Sequence, residues 1–321
     1  MENILRTPDK NFSELTDYPF EPNYYFWNGV RVHYVDEGPE QGPVMLLLHG
    51  MPTWGYLYRD MIPILIAKGY RCIVPDHIGF GRSDKPSEPS FYSIARHTEV
   101  LSGLISNLGL KNITLVCQDW GGPIGLAQAV YMEQRFSRLV IMNTWLHHPE
   151  FEYSDAIIKW CKNWQKGGLF SIDKPDIAAL LLISAGMVAP KLGVPWILNG
   201  DKPPIDSEAT KMYRGFQAPY LDMPSDAFNG FRAFPLSICH YDFDRGNGTA
   251  QSYFFKQLLK WDKPIHFIWG GADDIFTEKW GETWANKLKG TFKSIQEAGH
   301  FLQNTHGPEI VDILLNRISE E

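Results

Sequence analysis

The chain has 321 residues, of which 44% are hydrophobic and 21% are charged, and its formal net charge is −7. This composition is typical of a globular protein, and the length allows one large domain or one domain with a substantial insertion. The negative net charge and the lack of any run rich in Lys and Arg argue against a polyanion-binding surface, so nucleic acid is not an expected partner.

The cysteines and the apolar runs bear on where the protein works. The four cysteines have no spacing typical of a metal site, which predicts free thiols in a reducing compartment. No apolar run reaches membrane-spanning length and the N-terminal segment has no signal-like apolar region, so we predict a cytoplasmic protein without membrane association. A signal removed before this sequence begins is an alternative that the residues leave open. The cysteines are Cys72, Cys117, Cys161 and Cys239.

The first predicted elements are two strands that form a hairpin within residues 23–36. Two runs of alternating hydrophobicity flank Asn28-Gly29, the preferred residue pair of a type I′ turn. Short apolar runs of strand length follow, separated by stretches compatible with helices, and this alternation predicts an α/β protein with a mostly parallel central sheet flanked by helices. The strand runs are Val44–Leu48, Cys72–Val74, Ile113–Cys117, Leu139–Met142 and Ile265–Trp269, and the helical stretches are Leu57–Ala67, Ile94–Leu108 and Gly122–Glu133.

The alternation of strands and helices stops after Asn143. Residues 146–228 are rich in Trp, Tyr, Pro and Gly and contain helical pieces but no convincing strand, and strand-like sequence returns only at Ile265. An inserted helical cap over the carboxyl edge of the sheet explains this pattern. We therefore predict a core formed by residues 1–145 and 229–321, with residues 146–228 as the cap.

The candidate nucleophile is Asp119, where the chain passes from a predicted strand into a predicted helix through a sharp turn. Small residues stand two positions before it, at Cys117, and two positions after it, at Gly121, which is the layout of a nucleophile elbow. Asp119 occupies the position that holds serine in many hydrolases. An aspartate that caps the helix is the alternative, and the turn alone supports both interpretations equally.

Two further features favour a catalytic role for Asp119. The loop after His49-Gly50 follows an earlier predicted strand and can offer a backbone N–H to an oxyanion, with the N–H of Trp120 as second donor. His300 follows the last strand-like run, and Asp273 follows the run before it. The order nucleophile, acid, histidine is that of the α/β-hydrolase fold. Asp274 competes for the role of the acid, but Asp273 is favoured because it lies three residues after Gly270, and Asp274 is then a solvated turn residue.

These stretches resemble the haloalkane dehalogenases, particularly the subfamily with two tryptophans as halide ligands. The resemblance implies hydrolysis of a small apolar halogenated substrate by water, with an alcohol and chloride or bromide as products and with no cofactor. It covers most of the predicted core and is weaker in the predicted cap. The matching stretches are HGMPTWGYLYRDMIP (His49–Pro63), PDHIGFGRSDKP (Pro75–Pro86), VCQDWGG (Val116–Gly122) and EAGHF (Glu297–Phe301).

The implied reaction has two steps. Asp119 displaces the halide in line and becomes an alkyl ester, and a water activated by His300 then attacks the ester carbonyl. The backbone N–H groups of Met51 and Trp120 hold the oxyanion. Asp273 orients His300 and stabilises its positive charge.

The departing halide needs hydrogen-bond donors in a dry site, and indole N–H groups meet that need. Trp120, next to the nucleophile, is the first expected halide ligand. Other subfamilies have asparagine after His-Gly, where this chain has Met51, so a cap residue must supply the second donor. Within Ala156–Trp164, Trp160 aligns best with the halide-binding helix of the family, and Trp164 is the reserve candidate. For both residues, and for Trp145, packing within the cap is the alternative role.

Two other functions remain open at this stage. An epoxide hydrolase would share the Asp nucleophile and use the cap tyrosines Tyr153, Tyr213 and Tyr220, although Gln118 stands where those enzymes usually have histidine. A hydrolase fold that only binds a ligand is the second alternative, and the retained acid, base and nucleophile count against it. A serine esterase is not expected because no G-x-S-x-G occurs, and no metal is expected because the adjacent pair His147-His148 lacks ligand spacing. The sequence predicts no oligomeric state.

Overall fold

The computed structural model describes residues 3–170, 175–192 and 207–321. Its strands form one eight-stranded sheet and one short two-stranded ladder. The strands are β1 (Ile4–Leu5), β2 (Asn23–Trp27), β3 (Val30–Glu37), β4 (Val44–Leu48), β5 (Arg71–Pro75), β6 (Lys85–Pro86), β7 (Ile113–Gln118), β8 (Phe136–Met142), β9 (Ile265–Gly270) and β10 (Thr291–Ile295).

The large sheet has the strand order β10-β9-β8-β7-β4-β5-β3-β2. Strand β3 is antiparallel to both of its neighbours, β2 and β5, and every other pair in this sheet is parallel. The predicted α/β class with a mostly parallel sheet is therefore confirmed. The predicted hairpin is also present, and Asn28 and Gly29 have φ angles of 46° and 84°, as a type I′ turn requires.

Helices cover the sheet and fill the long connection between β8 and β9. Pro63 limits one of them: the predicted stretch Leu57–Ala67 divides into a 3₁₀ turn at Gly55–Tyr58 and an α-helix that begins at Ile62, because proline fits only the first turn of a helix. The α-helices are Ile62–Ala67, Ile94–Asn107, Gly121–Tyr131, Asp155–Trp164, Pro175–Ile183, Ala189–Leu192, Glu208–Gln217, Asn229–Ala233, Gly248–Leu258, Glu278–Leu288 and Leu302–Ser319, with a π-helical turn at Ser184–Val188.

The central strands are buried on both faces, which explains their continuous apolar sequence. All of β4 and β7 is buried, and alternate residues contribute to two cores. Leu46 and Leu48 belong to the core on one face of the sheet, whereas Met45 and Leu47 belong to the core on the other face. Because β7, β8 and β9 are parallel neighbours, their carboxyl ends lie side by side at one edge of this buried sheet.

The described part of the connection between Met142 and Ile265 contains helices and turns but no strand. This agrees with an inserted cap, although residues 171–174 and 193–206 of the predicted cap lie outside the described residues. The predicted cap boundary at residue 228 falls between a 3₁₀ turn, Ser225–Phe228, and the helix Asn229–Ala233. The three-segment division of the chain stays a prediction. In the part of the chain that the structure describes, no helix is long and apolar enough to cross a membrane.

Candidate active site

Asp119 lies at the tip of a sharp turn between β7 and the helix Gly121–Tyr131. Its φ angle is +50°, a left-handed conformation that aspartate tolerates better than most residues. Its backbone N–H donates to the carbonyl of Asn143 at 3.0 Å, and its own carbonyl accepts from the N–H of Gly122 at 2.9 Å. Trp120 is the N-cap residue of the helix, and no side chain caps it. Asp119 therefore does not serve as a helix cap.

Close backbone packing around this turn requires glycine at two positions. A Cβ atom on Gly121 would lie 2.5 Å from the carbonyl oxygen of Leu48 at the end of β4. A Cβ atom on Gly50, in the loop after β4, would lie 2.0 Å from Oδ1 of Asp119. The two loops can therefore meet only because these residues have no side chain.

The loop after β4 presents a hydrogen-bond donor to the Asp119 carboxylate. The backbone N–H of Met51 donates to Oδ1 of Asp119 at 2.7 Å. This is the position predicted for one donor of an oxyanion hole. Trp120, whose N–H is the other predicted donor, opens the following helix, and within the described residues the structure shows no hydrogen bond from that N–H to Asp119.

His300 connects the two predicted carboxylates. Its Nε2 atom lies 3.5 Å from Oδ2 of Asp119, and its Nδ1 atom lies 2.8 Å from Oδ2 of Asp273. The three residues follow three different strands: Asp119 follows β7, Asp273 follows β9 and His300 follows β10. The structure thus brings the predicted nucleophile, base and acid together at the carboxyl edge of the sheet.

Asp273 is held in position by donors on both of its oxygens. Oδ1 accepts from the backbone N–H groups of Ile275 at 2.7 Å and Phe276 at 3.2 Å. Oδ2 accepts from Nδ2 of Asn143 at 2.8 Å in addition to its contact with His300. The neighbouring carboxylate of Asp274 is exposed, as predicted for a solvated turn residue.

The environment of His300 changes its basicity. Burial alone would lower the pKa of His300. The negative charge of Asp273, the charge of Asp119 and the hydrogen bonds that His300 makes with both carboxylates outweigh this effect. Together they raise the pKa of His300 to about 10. Part of this increase depends on the charge of Asp119. A reaction that neutralises Asp119 would therefore lower the pKa of His300.

A cavity of about 370 Å³ lies over these residues. Asp119, His300 and Thr305 are its polar side chains. Met51, Trp120 and Trp160 also line it. The rest of the wall is mainly aliphatic and aromatic and includes Ile157, Leu182, Ile238, Ile275, Phe276 and Phe301. A largely apolar cavity with a few convergent polar groups is typical of a site for a small molecule.

The two cap tryptophans differ in position although they lie on one helix, Asp155–Trp164. Trp160 lines the cavity, whereas Trp164 is buried against Phe170 and Phe231 with ring-centroid distances of 5.1 Å and 5.8 Å. Trp164 is absent from the described cavity wall, and its indole N–H is enclosed without a hydrogen-bond acceptor in the described structure. Trp145 also lines the cavity, edge-on to Trp120 at 4.7 Å.

The tyrosines that an epoxide hydrolase would need lie elsewhere. The described residues that line the cavity include no tyrosine. The hydroxyl of Tyr153 lies 2.9 Å from Nδ1 of His147, and the hydroxyl of Tyr220 donates to the carbonyl of Gly79 at 3.1 Å. Tyr213 is buried in a different hydrophobic cluster from Trp120. This placement does not favour the epoxide hydrolase interpretation.

Sequence reasoning overlooked two amide side chains that hold the triad. Gln118 is the last residue of β7, and its amide reaches His300. Asn143 directly follows the neighbouring strand β8, and its amide reaches Asp273. Their position at the carboxyl ends of adjacent parallel strands was the available signal. No group of side chains able to hold a metal ion occurs among the described residues, and all four cysteines are free and buried.

Comparisons with known proteins agree with this geometry. A protein-family model described as the alpha/beta hydrolase fold matches residues 43–169. The chain is 35% identical to the haloalkane dehalogenase of Psychrobacter cryohalolentis, over 99% of this chain and 98% of that protein. It is also 35% identical to haloalkane dehalogenase 1 of Mycobacterium tuberculosis, over 98% of both chains.

A solved structure extends the similarity to three dimensions. The tetrameric haloalkane dehalogenase DpaA from Paraglaciecola agarilytica NO2 matches with a TM-score of 0.79 and 31% identity, over 97% of each chain. Identity above 30% over almost the whole of both chains confirms the resemblance that the sequence motifs indicate. The chain belongs to the haloalkane dehalogenase family.

Proposed function

We propose that the protein hydrolyses a small haloalkane to an alcohol and a halide ion through an alkyl ester on Asp119. The observation that carries this proposal is the presence of Asp119 and His300 in the wall of one apolar cavity that three tryptophans also line. A carboxylate rather than a serine is needed because attack on an sp³ carbon by serine would give an ether, which water cannot readily cleave. The ester on Asp119 has a carbonyl that water can attack.

In the first step, Oδ2 of Asp119 attacks the carbon that carries the halogen. A C–O bond forms as the C–halogen bond breaks, and the bonding electron pair leaves with the halide. Oδ2 is the attacking oxygen because Oδ1 accepts the N–H of Met51, whereas Oδ2 has only the longer contact of 3.5 Å with His300. The apolar wall keeps water away from the carboxylate, which strengthens its interactions with the substrate.

The departing halide is bound by the indole N–H groups of Trp120 and Trp160. Neither N–H donates to an acceptor elsewhere in the described part of the chain, and both side chains line the cavity. Trp160 is preferred to Trp164 because Trp164 packs behind the cavity wall. Indole is a donor without acceptor capacity, so it can bind an anion while it contributes an apolar surface to the cavity.

In the second step, His300 removes a proton from a water molecule, and the resulting hydroxide adds to the Cγ atom of Asp119. The negative charge develops on Oδ1, where the N–H groups of Met51 and Trp120 stabilise it. The Cγ–Oδ2 bond then breaks, and the alcohol leaves with Oδ2 and a proton from His300. The oxygen from water remains in the carboxylate of Asp119.

The charge of Asp119 couples the two steps. Ester formation neutralises Asp119 and removes one contribution that raises the pKa of His300. His300 thus becomes easier to deprotonate in the intermediate in which it must act as a base. Asp273 stays charged and continues to orient the ring through Nδ1.

The remaining proposals concern the surroundings of the reaction. We place the protein in the cytoplasm, a location consistent with four cysteines that remain free thiols. We expect no cofactor and no metal, because the proposed steps use only side chains, backbone donors and water.

The first test is halide release from 1-bromobutane and 1,2-dibromoethane by the purified protein, with styrene oxide offered in parallel. We expect halide and alcohol in equal amounts, and none from Asp119→Ala. Asp274→Ala is the matched control, because it removes the exposed neighbour of Asp273 and leaves the triad intact. Diol from styrene oxide without halide release would contradict the proposal.

A further inference from the structure

Gln118 has no role in the two proposed steps, yet it lies against their base. It is the last residue of β7, directly before Asp119, and it is fully buried. Its side-chain nitrogen Nε2 lies 3.0 Å from the backbone carbonyl oxygen of His300 and 3.1 Å from Nε2 of the same imidazole ring. One amide group therefore contacts both the main chain and the ring of His300.

The carbonyl contact determines which way the amide of Gln118 faces. A backbone carbonyl oxygen can only accept a hydrogen bond, so the Gln118 atom beside it must be the NH₂ group. An NH₂ group has two hydrogens. One is donated to the carbonyl of His300, and the second is directed at Nε2 of the ring.

This orientation acts against a proton on Nε2. A neutral ring with its hydrogen on Nδ1 donates that hydrogen to Asp273 at 2.8 Å and accepts the Gln118 N–H at Nε2. If Nε2 of His300 carried a proton, its N–H would face the N–H of the Gln118 amide, and two donors would oppose each other. A donor directed at the neutral form of a base favours that neutral form.

We propose that Gln118 is a positioning residue that keeps Nε2 of His300 free of a proton in the ester intermediate, so that the ring can accept a proton from water. This inference rests on the proposed function. In the free enzyme, two carboxylates act on His300, and they outweigh the amide. In the ester intermediate, the Asp119 charge is gone, and only Asp273 opposes Gln118. As water approaches, the amide is displaced from Nε2 but stays bound to the carbonyl of His300.

The protonation of His300 is governed by Gln118 and the two carboxylates. Asp119 and Asp273 are the groups whose charges act on His300 within the described structure. The other close ring neighbours, Phe276 and Phe301, are uncharged and lie at centroid distances of 5.5 Å and 4.5 Å. A change at Gln118 should therefore be measurable as a change in the protonation of His300.

The first experiment measures that protonation without any turnover. In an Asp119→Ala background, which removes the Asp119 charge as ester formation does, the His300 ring is titrated by NMR with ¹⁵N-labelled histidine. We expect the added changes Gln118→Met and Gln118→Glu to raise the pKa of His300, by about one unit for Met and by more for Glu. Equal pKa values in all three proteins would overturn the inference.

The second experiment follows the ester in the active enzyme. Rapid-mixing measurements with 1-bromobutane separate the halide burst from the decay of the ester. In Gln118→Met, we expect the pH midpoint of ester decay to rise by about one unit, which means about tenfold slower decay below the midpoint. Gln128→Met is the matched control, because Gln128 is also fully buried and its amide bonds only Thr98, Ile124 and Ser102.

The two experiments separate this inference from the function on which it rests. A Gln118→Met enzyme that is slower at every pH, with an unchanged midpoint, would assign Gln118 a structural role only and overturn the inference. A parent enzyme without any halide burst would overturn the proposed function. The NMR titration would still decide whether Gln118 controls the proton on His300.

Discussion

Replacing Trp160 by phenylalanine tests the halide site most sharply. The change keeps an aromatic ring in the cavity wall and removes the indole N–H. A hydrogen bond to a charged group contributes about 1.5–3 kcal/mol, so loss of one halide donor should slow the displacement step by about 10- to 150-fold. Trp164→Phe is the matched control on the same helix. Its N–H is enclosed away from the cavity, and we expect less than a threefold change.

The assay for this prediction is the burst of bromide release from 1-bromobutane in rapid mixing, together with quenching of tryptophan fluorescence by bromide. The burst should slow in Trp160→Phe, and bromide should quench its fluorescence less than in the parent. The reasoning would be refuted if Trp160→Phe kept the parent burst rate while Trp164→Phe lost it. That result would move the second halide ligand to Trp164 and require a different position of the cap helix.

The remaining predictions concern the base, its pKa and the support of the acid. His300→Gln should release halide once per enzyme and then stop with the alkyl group on Asp119, which intact-mass measurement detects; continued turnover would contradict the role of His300. Asp119→Asn should lower the pKa of His300 from about 10, because it removes a charge that raises it, and an unchanged NMR titration would refute the coupling. Because the pKa of His300 is raised in the folded protein, the contribution of its charge to the free energy of unfolding is complete below about pH 6.5 and is lost as the pH rises through 10. The difference in stability between the parent and His300→Gln should therefore shrink over that interval. A difference that grows with pH would contradict a raised pKa in the folded state. Asn143→Ala should lower the free energy of unfolding by about 1–3 kcal/mol, because it removes one of the two donors to Oδ2 of Asp273 and leaves the buried N–H of Gly270 without its acceptor. A decrease of less than about 0.5 kcal/mol in denaturant unfolding would contradict this prediction.

Local sequence signals predicted the central sheet well, and they also selected three residues that lie together in the structure. The apolar run Val44–Leu48 matches β4 residue for residue, and Ile113–Cys117 differs from β7 by one residue. Strands buried on both faces have a continuous apolar sequence, so their bounds can be read directly. The order of Asp119, Asp273 and His300 was informative because each follows a strand, and the carboxyl ends of parallel strands meet at one edge.

Tertiary contacts were beyond the reach of the sequence. Trp160 and Trp164 stand four residues apart on one helix, and periodicity places both on a similar face. Phe170 contacts both tryptophans, and the packing of Trp164 against Phe231 distinguishes the buried residue from the cavity-lining one. The contacts of Gln118 with His300 and of Asn143 with Asp273 likewise join residues that are far apart in sequence, 182 and 130 positions respectively.

The most direct test of the ester on Asp119 is a single turnover in ¹⁸O-labelled water, with enzyme in excess over 1-bromobutane. The account predicts that the first butanol molecules carry unlabelled oxygen from Oδ2 of Asp119. The peptide that contains Asp119 should then carry one labelled oxygen. Butanol that contains ¹⁸O in this first turnover, with no label on Asp119, would show direct attack of water on the substrate and would contradict the account.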